Sequence, residues 1–222
     1  MYWLEYLLYM LPAYLLVLII QIALKTTVSK YSNVKTKMCG AAAAELVLRR
    51  AGVAGVNIGQ VKGDLTDNYD PSSSMIYLSD QVYSVSSVTA VGIAAHEAGH
   101  AIQYAQDYGP ARLRQASVKV CNIGSRLAVP LIFLGWILSF EPLAIAGIVC
   151  FMLVVAFQLI TLPVEFNASK RAVAVLSESG MLEEEELKGV KKVLTAAAMT
   201  YVGSLAMSTV QLLYYITRIK RR

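Results

Sequence analysis

Histidine is nearly missing from this chain of 222 residues, which holds two, His96 and His100. Cysteine is scarce as well. Cys39, Cys121 and Cys150 lie far apart with no CxxC pair, so no disulfide framework is implied and the three read as ordinary reduced residues. Charge is thin: Asp, Glu, Lys and Arg make up 16% of the residues against 56% hydrophobic, and the mean hydropathy is +0.53. That balance excludes an ordinary soluble domain and calls for membrane segments. A net charge of +5 would suit a nucleic-acid binder. The basic residues flank apolar runs, however, as expected beside anionic lipid, so the bilayer is the expected partner and nucleic acid is not.

What is present is a set of four apolar segments. The first covers Tyr2 to Leu24 and is long enough to span a bilayer. No basic residue precedes Lys25 and no small-residue cleavage site follows, so it reads as a retained anchor, with Tyr2, Trp3 and Tyr6 as an interfacial belt and Pro12 as a possible kink. The second, Leu127 to Phe140, and the third, from Leu143 on, are separated by Glu141 and Pro142, which read as the turn of a helical hairpin. The second would rise only about 21 Å, short of a hydrocarbon core of about 30 Å. Either its helix begins earlier, with Arg126 snorkelling, or the hairpin is partly re-entrant. The fourth, Ala196 to Ile216, is rich in Ala, Gly, Ser and Thr, which suits close helix contact.

Flanking charges set an orientation. Lys25, Lys30, Lys35 and Lys37 follow the first segment and only Glu5 lies near its start, so the chain from Lys25 onward is expected in the cytoplasm. The hairpin then returns Lys170, Arg171, Lys188, Lys191 and Lys192 to the same side. The basic tail at 218–222 leaves open whether the fourth segment spans.

Between the first two segments, "MCGAAAAELVLRRAG" reads as a helix ending at Gly52, and "VNIGQVKGDLTDNYDPSSSMIYLS" as short strands around a turn. A strand there could pair with an extended peptide or simply cover a core. "DYGPARLRQASVKV" breaks at Gly109-Pro110 and resumes as a basic helix. Both histidines fall in "VGIAAHEAGHAIQ", on a stretch capped by Ser86 or Ser87 that continues without proline. On a helix, His96 and His100 are one turn apart on one face, so two ring nitrogens reach a single cation. Glu97 is placed to act on a water there. This is the HExxH arrangement of zinc peptidases. Ala94, Ala95, Ala98 and Gly99 make the helix slim, which is expected to leave room for a substrate chain.

A catalytic zinc usually takes three protein ligands. The metzincin pattern is excluded, because Gln106 stands ten positions after His96 and no third histidine exists. A glutamate from a later helix remains. Glu165 follows the third apolar segment, where Pro163 can open a new helical turn. A carboxylate there needs a cation, whether zinc or the side chains of Lys170 or Arg171, unless it is simply exposed at the interface. The acidic run Glu183 to Glu186 reads as a solvated helix face, with Glu184 and Lys188 paired at i,i+4.

Taken together, "LTDNYDP" at 65–71, "IYLS" at 76–79, "AAHEAGHAIQ" at 94–103, "LPVEFNASKRA" at 162–172 and "VLTAAAMTYV" at 193–202 resemble the YugP-type membrane-bound neutral zinc metallopeptidases over nearly the whole chain. The resemblance implies a zincin-like catalytic domain with Zn2+ held by His96, His100 and Glu165, and Glu97 as general base. Two positions depart from the pattern: Asn68, where that family suggests histidine, and Asn167, where Asp is common. The expected fold class is a mainly α integral membrane protein with a small α+β zincin-like domain. Its expected divisions are an anchor over 1–24, the zincin-like domain over 25–126, a transmembrane or re-entrant hairpin over 127–162, a helix with the third ligand and a polar helical segment over 163–195, and a hydrophobic helix with a basic tail over 196–222.

The expected function is hydrolysis of peptide bonds in membrane or membrane-proximal proteins by a multi-pass cell-membrane enzyme whose site faces the cytoplasm. Tyr77, Tyr104 and Arg171 are candidates, on chemistry alone, to stabilise an oxyanion. The alternative is a non-catalytic membrane scaffold that keeps zinc for structure. A metal transporter fits less well, because its ionisable residues should lie within the apolar segments, which offer little of that kind beyond Glu5 and Gln158.

Overall fold

In the computed structural model, residues 2–63 and 66–220 are described, without the side chains of residues 2, 3 and 220. The order of elements is α1 (Tyr2–Ser32), α2 (Gly40–Arg50), β1 (Asn57–Val61), β2 (Asn68–Asp70), β3 (Met75–Ser79), α3 (Val88–Ala105), α4 (Gly109–Ile137), α5 (Glu141–Ser179) and α6 (Glu184–Lys220). The mainly helical class is as expected, with one small sheet. Among the described residues, α1, α4, α5 and α6 are long and apolar enough to cross a membrane.

The long helices outrun the apolar segments that announce them. The second apolar segment is the end of a 29-residue helix starting at Gly109, about 43 Å long at 1.5 Å per residue. The helix thus begins earlier than the apolar segment. The expected turn at Glu141-Pro142 is displaced. Residues 138–140 make the turn, with Ser139 at φ 52°, and Glu141 and Pro142 open α5, where a missing N–H costs nothing. Pro163 also differs from expectation. It lies inside α5, which continues unbroken to Ser179, so one lost hydrogen bond is absorbed within a long helix. The reading of Tyr2 and Trp3 as a belt, and of the last two basic residues of the tail, falls outside the described residues.

The chain divides into two compact units, and α1, α4, α5 and α6 contribute to both. The first is drawn from Met1–Gln21, Arg112–Pro163 and Met199–Arg222. Its core joins Ala128 and Ile132 of α4, Ile148 and Phe151 of α5, and Tyr214 and Tyr215 of α6. Glycine makes the closest approaches. A Cβ on Gly135 would stand 2.4 Å from the Ala144 nitrogen, and one on Gly147 would stand 2.6 Å from that of Ile132. Tyr6 packs edge-on against Tyr214, ring centroids 5.0 Å apart.

The second unit, Ile22–Ala111 and Val164–Ala198, holds α2, α3 and the sheet. Strand order is β1-β3-β2, with β1 parallel to β3 in the register Gly59↔Tyr77 and β2 antiparallel in the register Tyr69↔Ile76. Alternation in "MIYLS" buries Ile76 and Leu78, which join Val47 of α2, Val91, Ala94 and Ala95 of α3, Leu176 of α5 and Val190 of α6 in one core. Of the two proposed caps it is Ser87 whose hydroxyl accepts the Ala90 N–H at 3.2 Å. Gly52 follows α2 at φ 68°, a left-handed stop that suits glycine.

Candidate metal centre

Burial of α3 comes from its small residues. Ala94, Ala95 and Ala98 are fully buried, and a Cβ on Gly99 would lie 2.4 Å from the Ala168 carbonyl oxygen on α5. The expectation that this slimness leaves room for substrate is therefore corrected. It lets α5 lie directly on α3, because only a residue without Cβ tolerates backbone at that distance. The same approach carries Glu165, one turn before Ala168, to the histidines.

Three ligand atoms converge there. His96 Nε2 is 3.1 Å and His100 Nε2 is 3.5 Å from Glu165 Oε2. The imidazole rings stand edge to face with centroids 4.7 Å apart. Among the described residues this trio is the one group of His, Cys, Asp and Glu side chains close enough to hold a metal ion, its ligand atoms lying within 4.8 Å of one another. Glu165 is only 2% exposed, so its carboxylate requires a cationic partner. Lys170 and Arg171, the alternative partners, make no ion pair with it among the described residues. Arg171 donates instead to Asn167 Oδ1 and to Gln106.

The outer nitrogens of both imidazoles are engaged. His96 Nδ1 pairs with the Ser169 hydroxyl at 3.0 Å, and His100 Nδ1 with Gln103 Oε1 at 3.0 Å. The orientation of the Gln103 amide is determined by its other end. Its Nε2 donates to the Val164 carbonyl at 2.8 Å and to Asn167 Oδ1 at 3.0 Å, and both of these accept. Gln103 must then present oxygen to His100, so Nδ1 of His100 carries a proton and Nε2 is left for a ligand. Burial works against a charge on His100, yet its hydrogen bond to Glu165 and the nearby Glu97 and Glu165 carboxylates hold its pKa above the usual imidazole value. A bound cation would take over the role of that proton. Two imidazoles, each fixed from behind, and a buried carboxylate suit a divalent ion of borderline softness such as zinc.

Glu97 is also buried. Its Oε2 accepts the Tyr69 backbone N–H at 2.9 Å, so the outward donor of β2 goes to this carboxylate. Of the three candidates for oxyanion stabilisation, Tyr104 donates its hydroxyl to the Ala111 carbonyl at 3.4 Å, Arg171 is engaged as above, and Tyr77 sits on the central strand. Asn68 lies on β2 opposite Tyr77, and Asn167 links Gln103 to Arg171. Sequence reasoning missed Gln103, Ser169 and the Tyr69 amide. The first two carried a faint signal: Gln103 is three residues after His100, and Ser169 four after Glu165, each on its ligand's helical face.

A protein family described as "Putative neutral zinc metallopeptidase" has a sequence profile that matches residues 6–220. The chain belongs to this family. A relative from Bacillus subtilis (strain 168), "Putative membrane protease YugP", is 42% identical over 199 residues, covering 88% of each chain. No solved structure matches. Membership in the family agrees with the donor set found here, which offers the family's zinc three ligands. With the four apolar helices it describes a multi-pass membrane protein of the zinc peptidase kind.

Proposed function

We propose that the protein is a zinc metalloendopeptidase that cuts membrane or membrane-proximal proteins, with His96, His100 and Glu165 as ligands and Glu97 as general base. The supporting observation is the convergence of those three ligand atoms beside a buried carboxylate that a backbone N–H holds in place. Zinc, when bound, supplies a Lewis acid that acidifies water and polarises a carbonyl. Glu97 takes the proton of the attacking water and passes it to the leaving amine. The Tyr69 N–H keeps one oxygen of Glu97 engaged and leaves the other for the proton. Gln103 and Ser169 keep both imidazoles turned inward throughout.

The substrate class in this reading is supported by α5. The helix that carries Glu165 also contains an apolar stretch fit to cross a bilayer, so peptide bonds near the membrane are the ones offered to the site. The lysines that follow the apolar part of α1 support a cytoplasmic site. Equal rates on soluble unfolded protein and on membrane-tethered substrate would remove the first reading. Labelling of a Lys35→Cys probe by an impermeant reagent from outside the cell would remove the second.

The decisive experiment is Glu97→Gln. Its amide oxygen can still accept the Tyr69 N–H, so zinc content should stay at the wild-type level while peptide cleavage falls about 10²- to 10⁴-fold. Unchanged cleavage would leave a zinc-containing scaffold as the better reading.

A further inference from the structure

A second polar feature lies away from the metal centre, between the end of α1 and the early turns of α6. There a cavity of about 440 Å3 is lined by Thr26, Thr27 and Lys30 from α1 and by Lys191, Lys192 and Thr195 from α6. Tyr31 lines it too, and its ring is seated against Gly189, where a Cβ would stand 2.7 Å from the ring. That contact brings two helical segments about 160 residues apart in sequence to the same opening. None of the lining residues is acidic. Glu184 and Glu185, at the start of α6, are held by Lys188 at 2.9 Å. Among the described residues no carboxylate forms an ion pair with Lys30, Lys191 or Lys192, and the hydroxyls of Thr26, Thr27 and Thr195 make no hydrogen bond.

Three lysines and three threonine hydroxyls line one opening, and Glu185, the carboxylate whose field reaches Lys192, is itself paired with Lys188. Such a set recognises a phosphate-type anion. Both helices are apolar enough to cross a membrane, and the lysines stand where each apolar run gives way to polar residues. Ile22, one turn before Thr26 on the same face of α1, is 57% exposed. A ligand with a phosphate and an apolar tail meets both features. We infer that this cavity is a binding site for the headgroup of an anionic phospholipid, with the phosphate among Lys30, Lys191 and Lys192 and the acyl chains running along α1. Isolated lysines at the ends of spans attract anionic lipid only diffusely. Here two helices line one open cavity, so the interaction is expected to saturate and to depend on these residues.

The test uses the full-length protein in a zwitterionic detergent, following its thermal unfolding midpoint as short-chain phosphatidylglycerol or phosphatidylcholine is added. Phosphatidylglycerol should raise the midpoint saturably and phosphatidylcholine should not. In the triple variant Lys30→Gln/Lys191→Gln/Lys192→Gln, half-saturation should move to at least about tenfold more lipid. A control of equal charge loss at residues that line no part of the cavity, Lys35→Gln/Arg50→Gln/Lys62→Gln, should respond like wild type. If the cavity triple folds poorly, Thr27→Val/Thr195→Val, which keeps every charge, should still weaken the response several-fold. Equal effects of the two lipids, or equal losses in the two triples, would overturn the site. Inorganic phosphate giving the full shift at the same concentration would assign the cavity to a soluble anion and overturn the lipid reading.

Discussion

Gln103 shows how much of the candidate metal centre rests on a residue outside its three ligand side chains. It is wholly buried, and its amide is saturated by His100, Val164 and Asn167. Each partner leaves the next no freedom: the two acceptors fix the amide, and the amide fixes the imidazole. Gln103→Ala removes that constraint and leaves the Val164 carbonyl and the His100 N–H without their partner. Zinc affinity should fall about 10- to 100-fold, read by competition with a chromogenic chelator. Equal affinity in Gln103→Ala and wild type would show that the ring is positioned by packing alone. The sequence could announce His96, His100 and Glu97, because their spacing is a chemical pattern. It could suggest Glu165, because a carboxylate after an apolar run needs a reason. It could not announce Gln103, since a buried amide resembles any polar helix residue until its partners are known.

The meeting of α3 and α5 depends on one missing side chain. With Gly99 against the Ala168 carbonyl, any Cβ must push the helices apart or distort them, and Glu165 moves with α5. Gly99→Val should therefore cost about 1–3 kcal/mol of stability. It should also lower zinc retention after dialysis, although position 99 donates nothing to the ion. A variant that unfolds at a lower temperature yet binds zinc as wild type does would uncouple packing from the site. The long helices were legible as apolar runs, and the break at Gly109-Pro110 marked where α4 starts, but the joining of polar and apolar parts into one helix was not. Hydropathy marks where a helix is greasy, whereas hydrogen bonding continues into polar sequence, as α6 does from Glu184. Proline misled twice for one reason. Pro142 opens a helix where a turn was expected, and Pro163 sits within a helix where a new start was expected. A proline limits its own backbone without saying which side of it the helix occupies.

For the whole molecule the consequence is thermodynamic. An ion that binds the folded site and not the unfolded chain adds stability in proportion to the logarithm of its concentration over its Kd. Removing metal with 1,10-phenanthroline should abolish cleavage and lower the unfolding midpoint by several degrees, and added zinc should restore both. If the midpoint is the same with and without metal, the three side chains do not hold an ion that matters to the fold. The three proposed ligands are also widely spaced in order of manufacture. His96 and His100 leave the ribosome together, but Glu165 follows only after α4 and most of the apolar part of α5 have been made. On the proposed reading, a nascent or truncated chain holds an incomplete chelate, and peptide cleavage waits until those membrane-crossing helices have been synthesised.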